Sequence, residues 1–87
     1  MPRELTFKDD AVDDMQYWLE NDRKLLARIF RLLKECQRTP FDGTGKPEPL
    51  KSNLKGSWSR RINDEHRLVY TITNDAIIVQ SMRGHYE

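Results

Sequence analysis

Two side chains in this sequence stand out as a proton-transfer pair. Glu48 lies between Pro47 and Pro49, and His85 lies in the segment Arg83-Gly84-His85-Tyr86. Four cations can accompany them: Lys46, Lys51, Arg61 and Arg67. Such a set suits the opening of an RNA phosphodiester by its own 2′-hydroxyl. The hydroxyl attacks the adjacent phosphorus and the 5′ oxygen leaves. The reaction needs a base for the 2′ proton, an acid for the leaving group and cations for the charged phosphorane. A positioned base or acid contributes about 10²–10⁴-fold each. Guanidinium suits the phosphate because its fork can bind two oxygens at once.

Each of these residues also has an ordinary reading. A glutamate in a loop is usually a solvated acid, although the prolines on either side fix its backbone. A histidine close to a chain end is usually frayed and idle, and Tyr86 can simply pack on a sheet edge. Arg60 and Arg61 are adjacent on a strand and point to opposite faces, so at most one shares a face with Arg67. The intervening turn leaves open which one, and a surface ion pair with Asp64 or Glu65 is the alternative. His66 alternates in phase with Leu68, Tyr70 and Ile72 and reads as a histidine at the core edge. Two histidines and one cysteine without close spacing make no zinc site. Gly43-Thr44-Gly45-Lys46 lacks the spacing of a phosphate loop, and no nucleophile elbow is present. The sequence therefore offers no metal or nucleotide cofactor site.

The elements that must position these residues follow from periodicity. Glu4-Leu5-Thr6-Phe7 reads as a strand. Asp9 and Asp10 are candidate N-caps for a helix whose apolar face is Val12, Met15, Trp18 and Leu19. Asp22 can cap a second helix with a stripe of Leu25, Leu26, Ile29, Phe30, Leu33 and Cys36. Residues 40–49 hold three prolines and two glycines and read as a constrained loop without regular structure. Three strands follow at 58–62, 67–73 and 76–82, with turns at 63–65 and 74–75, and a short strand near Leu50-Lys51 can be added. The expected fold is α+β, in β-α-α-β-β-β order. Two N-terminal helices pack on one face of a small, mostly antiparallel, twisted sheet, leaving the other face for a site.

At 87 residues the chain is expected to form one domain, residues 1–87. The net charge of +1 hides an uneven distribution. Residues 44–63 hold five bases against Glu48, whereas residues 9–22 hold six acids and no base. A locally basic face fits a phosphate-bearing partner, or simply a solvated surface. The single Cys36 excludes an internal disulfide. No apolar run is long enough for a membrane span, and the first residues do not read as a signal peptide. A cytoplasmic location is expected.

A longer pattern adds to this reading. The stretch Arg38-Thr39-Pro40-Phe41-Asp42-Gly43-Thr44-Gly45-Lys46-Pro47-Glu48-Pro49-Leu50-Lys51 resembles the central signature of the YoeB/Txe toxins, within the RelE-like toxin–antitoxin superfamily. The likeness continues through Trp58-Ser59-Arg60-Arg61-Ile62, Glu65-His66-Arg67-Leu68-Val69-Tyr70 and Arg83-Gly84-His85-Tyr86. The resemblance implies a RelE-like microbial ribonuclease fold. It further implies an endoribonuclease that cuts messenger RNA in the ribosomal A site without metal and so inhibits translation. By the same resemblance Glu48 is the general base, Arg67 stabilises the phosphate, His85 is the general acid and Tyr86 helps place the substrate. Lys51 and Arg61 match positions that contact phosphate or substrate. The implied partners are a YefM/Axe-like antitoxin, the ribosome with its message, operator DNA only together with the antitoxin, and a second copy in a homodimer.

Such toxins commonly end at the His-Tyr pair, whereas this sequence continues to Glu87, whose carboxylate beside His85 can alter the acid. The competing reading is a non-catalytic RNA-, DNA- or antitoxin-binding module, a degenerate toxin or co-repressor. On the catalytic reading, His85 and Tyr86 are expected to order on the sheet, where a partner could displace them.

Overall fold

A computed structural model of the protein describes residues 2–51 and 56–84. The chain forms β1 (Glu4–Phe7), α1 (Asp9–Asn21), α2 (Arg23–Arg38), β2 (Glu48–Pro49), β3 (Ser57–Arg61), β4 (Arg67–Ile72) and β5 (Ala76–Ser81). The five strands make one sheet in the order β1-β5-β4-β3-β2. All pairs are antiparallel except β1 with β5. This is the expected α+β arrangement with one strand more. Residues 40–49 are not wholly irregular, because Glu48 and Pro49 pair with Ser59 and Trp58. The added strand falls just before Leu50-Lys51, and among the described residues only the Leu50 amide extends the pairing, to the Ser57 carbonyl at 2.8 Å. Pro49 can sit there because β2 is an edge, where a missing N–H leaves no neighbour unpaired.

Asp9 and Asp10 do not cap α1. Lys8 is the N-cap and makes no side-chain cap bond, while the two acids occupy the first turn, where the helix dipole favours them. Asp22 does cap α2, its Oδ1 accepting from the Leu25 amide at 3.0 Å. The buried face of α1 is carried by Ala11 and Trp18, and that of α2 by Leu26, Ile29, Leu32, Leu33 and Cys36. Val12, Leu19 and Phe30, expected inside, are 48%, 48% and 43% exposed. They line an apolar groove between the helices, together with Met15, Gln16 and Leu26. No helix among the described residues is long and apolar enough to cross a membrane.

The helices cover one face of the sheet, meeting Leu68, Tyr70, Ile77 and Val79, with Leu5, Phe7, Trp58 and Ile72 packed at the margin. Strict alternation along β5 would bring Ser81 inward with Val79. The ladder instead shifts between Val69 and Tyr70: Tyr70 faces Val79 while Val69 faces Ser81. Gln80 is thus the extra residue of a bulge, which turns Ser81 to the open face and sends Met82 into the core, where it is fully buried.

Gly45 holds the loop before β2 against β3. Its φ is +89°, and a Cβ there would stand 2.8 Å from the Arg61 carbonyl oxygen. Its own carbonyl accepts from the Arg61 amide at 2.6 Å. Gly45→Ala is therefore expected to cost about 1–3 kcal/mol, from the left-handed conformation plus the clash. Urea denaturation checks this, and an unchanged midpoint would remove the requirement for glycine.

Candidate active site

The sheet register decides which basic residue joins Glu48. Glu48 stands opposite Ser59, Ser59 opposite Val69, and Arg61 opposite Arg67. Directly opposed residues, and residues two apart on one strand, share a face. Glu48, Arg61 and Arg67 therefore lie together on the helix-free face. Ser57, Ser59, Val69 and Ser81 form a floor of small, buried side chains between and beside them. From ordinary strand spacing and rise, the Cα atoms of Glu48 and Arg67 are about 12 Å apart, a gap two long side chains can bracket around one phosphodiester.

Glu48 and Arg61 are exposed and Arg67 is half-buried. Arg61 and Arg67 face each other with no carboxylate on either among the described residues. Opposed like charges destabilise a sheet pair, and an anion between them would relieve the repulsion. Arg67 Nη1 is held by the carbonyls of Asn63 at 2.9 Å and His66 at 3.2 Å, which steadies the guanidinium. Lys46 and Lys51 are exposed on either side of Glu48, and Lys46 has a φ of +52°. His85 and Tyr86, and Glu87 after them, lie outside the described residues.

Arg60 is the residue that sequence reasoning missed. It is fully buried on the helix side, not paired with Asp64 or Glu65 at the surface. Its guanidinium donates to the Tyr70 hydroxyl, Glu35 Oε1 and the carbonyls of Thr39, Asp42 and Thr44. The Tyr70 hydroxyl in turn donates to the Pro40 carbonyl at 2.9 Å. The loop leading to Glu48 is thus wrapped around one cation. Burial pushes the Tyr70 hydroxyl up to about 12, so it stays protonated and can donate. The available signal was the alternation Trp58, Arg60, Ile62, which places Arg60 in phase with apolar neighbours.

The chain leaving β5 is also held. The Met82 amide donates to Asp14 Oδ2 and its carbonyl accepts from Trp18 Nε1, each at 2.9 Å. The Gly84 amide donates to His66 Nδ1 at 2.9 Å, and its carbonyl accepts from the Arg67 amide at 2.7 Å. His66 meets Trp18 edge-on at 4.8 Å and sits at the core margin, as its strand phase suggested. Burial raises the Asp14 carboxyl above its ordinary value, against the lowering effect of the Met82 bond.

Comparison with known proteins gives this site a context. Residues 7–86 match the family described as the YoeB-like toxin of bacterial type II toxin–antitoxin systems. The chain belongs to the YoeB-like toxin family. It is 50% identical over 82 residues to the toxin YoeB of Escherichia coli K12, covering 94% of this chain and 98% of that one. A YoeB dimer from Staphylococcus aureus superimposes with a TM-score of 0.91 at 46% identity, covering 99% of this chain and all of that one. A heterotetrameric YoeB–YefM toxin–antitoxin complex from the same organism gives 0.88 at 46% identity and the same coverage.

Proposed function

We propose that this toxin is a metal-independent endoribonuclease acting on messenger RNA in the ribosomal A site. The observation that carries the reading is the register that puts Glu48, Arg61 and Arg67 on one open face over a floor of small side chains. Glu48 takes the proton of the 2′-hydroxyl as its oxygen bonds to phosphorus. Arg67 and Arg61 balance the charge on the phosphorane oxygens, with Lys46 and Lys51 along the flanking backbone. The bond from phosphorus to the 5′ oxygen breaks, and His85 gives that oxygen its proton, with Tyr86 placing the substrate. The products are a 5′-hydroxyl and a 2′,3′-cyclic phosphate. Every proton and charge is handled by a side chain of this sequence, so the scheme requires no metal.

By likeness to the Staphylococcus aureus proteins, the chain pairs with a YefM-like antitoxin and with a second copy of itself. Messenger RNA 5′ ends mapped after induction, with and without a co-expressed YefM-like antitoxin, test the class. Cuts within translated codons that vanish with the antitoxin are expected. Cleavage of a naked RNA at high protein concentration is expected to persist in EDTA. A strict magnesium requirement would overturn the mechanism.

A further inference from the structure

On the reading of His85 as the general acid, the chain that leaves β5 carries that acid. A segment leaving a sheet is the part of a small domain most prone to fray. Here it is held at residue after residue. Both backbone groups of Met82 are bound by side chains of α1, its amide by Asp14 and its carbonyl by Trp18. Asp14 and Trp18 are four apart and so share one face of the helix. The Arg83 guanidinium lies 3.5 Å from the centroid of the Tyr17 ring. Both backbone groups of Gly84 are bound as well, the amide by His66 Nδ1 and the carbonyl by the Arg67 amide.

Three of these four backbone bonds run to side chains. A strand that simply ends needs no such receptors, because water satisfies its last groups. The residue after Gly84 is His85, and Arg67 supplies both a guanidinium on the face shared with Glu48 and the amide that fixes Gly84. To accept from Gly84, His66 must keep the Nδ1 lone pair free and carry its proton on Nε2. Its role is then that of a fixed acceptor.

We propose that Asp14, Trp18 and His66 are positioning residues for the leaving-group proton transfer. They fix the backbone through Gly84, the residue before the acid, so that the proton transfer starts from a rigid origin. Misplacement of a reacting group by about 1 Å can cost about 10²-fold in rate. The loss should fall on the acid step alone.

A substrate with sulfur in place of the bridging 5′ oxygen isolates that step, because a thiolate leaves without being protonated. On the ordinary message, Asp14→Ala and His66→Phe are expected to lose about 10- to 100-fold in cleavage rate. On the 5′-sulfur message the same variants are expected to recover to near the parent rate. Asp14→Asn and His66→Asn, which keep an acceptor at the same place, are expected to stay near the parent on both messages. Equal losses on the two messages, or no loss on either, would overturn the proposal. His85→Gln serves as the reference. If sulfur rescues His85→Gln but not Asp14→Ala or His66→Phe, the anchor idea alone fails. If sulfur does not rescue His85→Gln, the acid assignment fails and takes the anchor with it.

Discussion

Glu48→Ala is expected to lower RNA cleavage by about 10²–10⁴-fold, the contribution of one positioned base, and to abolish growth arrest on induction. Glu48 is exposed on an edge strand and its carboxylate accepts no hydrogen bond among the described residues, so its removal should leave the fold intact. A surface substitution of this kind stays within about 0.5 kcal/mol of the parent. The backbone pairing of β2 with β3 does not depend on the side chain at 48, and binding to the cognate antitoxin should be unchanged. His85→Gln should behave alike. Rate measurements on a programmed ribosome, beside a calorimetric titration with antitoxin, separate the two properties. If both variants remain fully toxic, the protein acts by binding and the acid–base scheme is wrong.

Arg60→Met is expected to have the largest effect on stability. Arg60 is fully buried and gathers a carboxylate, a phenol and three carbonyls around one guanidinium. Removing one partner of a buried charged network costs about 3–5 kcal/mol, a large share of the roughly 5–15 kcal/mol that stabilises a typical domain. Lysine should not restore it, since an ammonium has three donors and no fixed fork. Chemical denaturation measures the loss, and a change below about 1 kcal/mol would mean that water can replace the guanidinium. Acid probes the same network. The Thr44 amide, and after it Arg60, hold the Glu35 carboxyl below its ordinary value of 4.5. A carboxylate lowered in the native state contributes stability that is fully present above its unfolded-state pKa and is lost as pH falls through the native one. The parent should therefore lose stability below about pH 4.5 more steeply than Glu35→Gln.

The parts of the molecule that sequence made legible were those with a period. The α2 stripe and the order of the long strands are read from spacing, because burial on one side imposes that spacing. The exposure of Val12, Leu19 and Phe30 was not, since periodicity gives a face but not how far a second helix covers it. The bulge at Gln80 left no signal, because Ala76 to Ser81 reads as plain alternation and only the fit of Met82 into the core breaks it. In the candidate site, residue types and the Pro-Glu-Pro segment suggested Glu48, but the choice between Arg60 and Arg61 awaited the register. That register depends on the turn at 63–66, where the Ile62 and Asn63 amides both reach the His66 carbonyl. Arg60 was hidden for a simpler reason. Arginine is seldom fully buried, and what stabilises it is a set of loop carbonyls 16 to 21 positions earlier, beyond any local pattern.

The parallel pairing of β1 with β5 has a kinetic consequence. Among the described residues β1 has no sheet neighbour except β5, and both helices and three strands intervene between them along the chain. The hairpins of β3, β4 and β5 close over short turns and can form early. The first strand must wait for an encounter across nearly the whole sequence. Loop-closure entropy grows only slowly with length, about 0.6 kcal/mol per doubling, so the wait costs little in final stability. It does raise the contact order, which slows the search for the native arrangement. Until β1 arrives, β5 presents an open edge, the surface through which a half-folded chain can pair with a stranger.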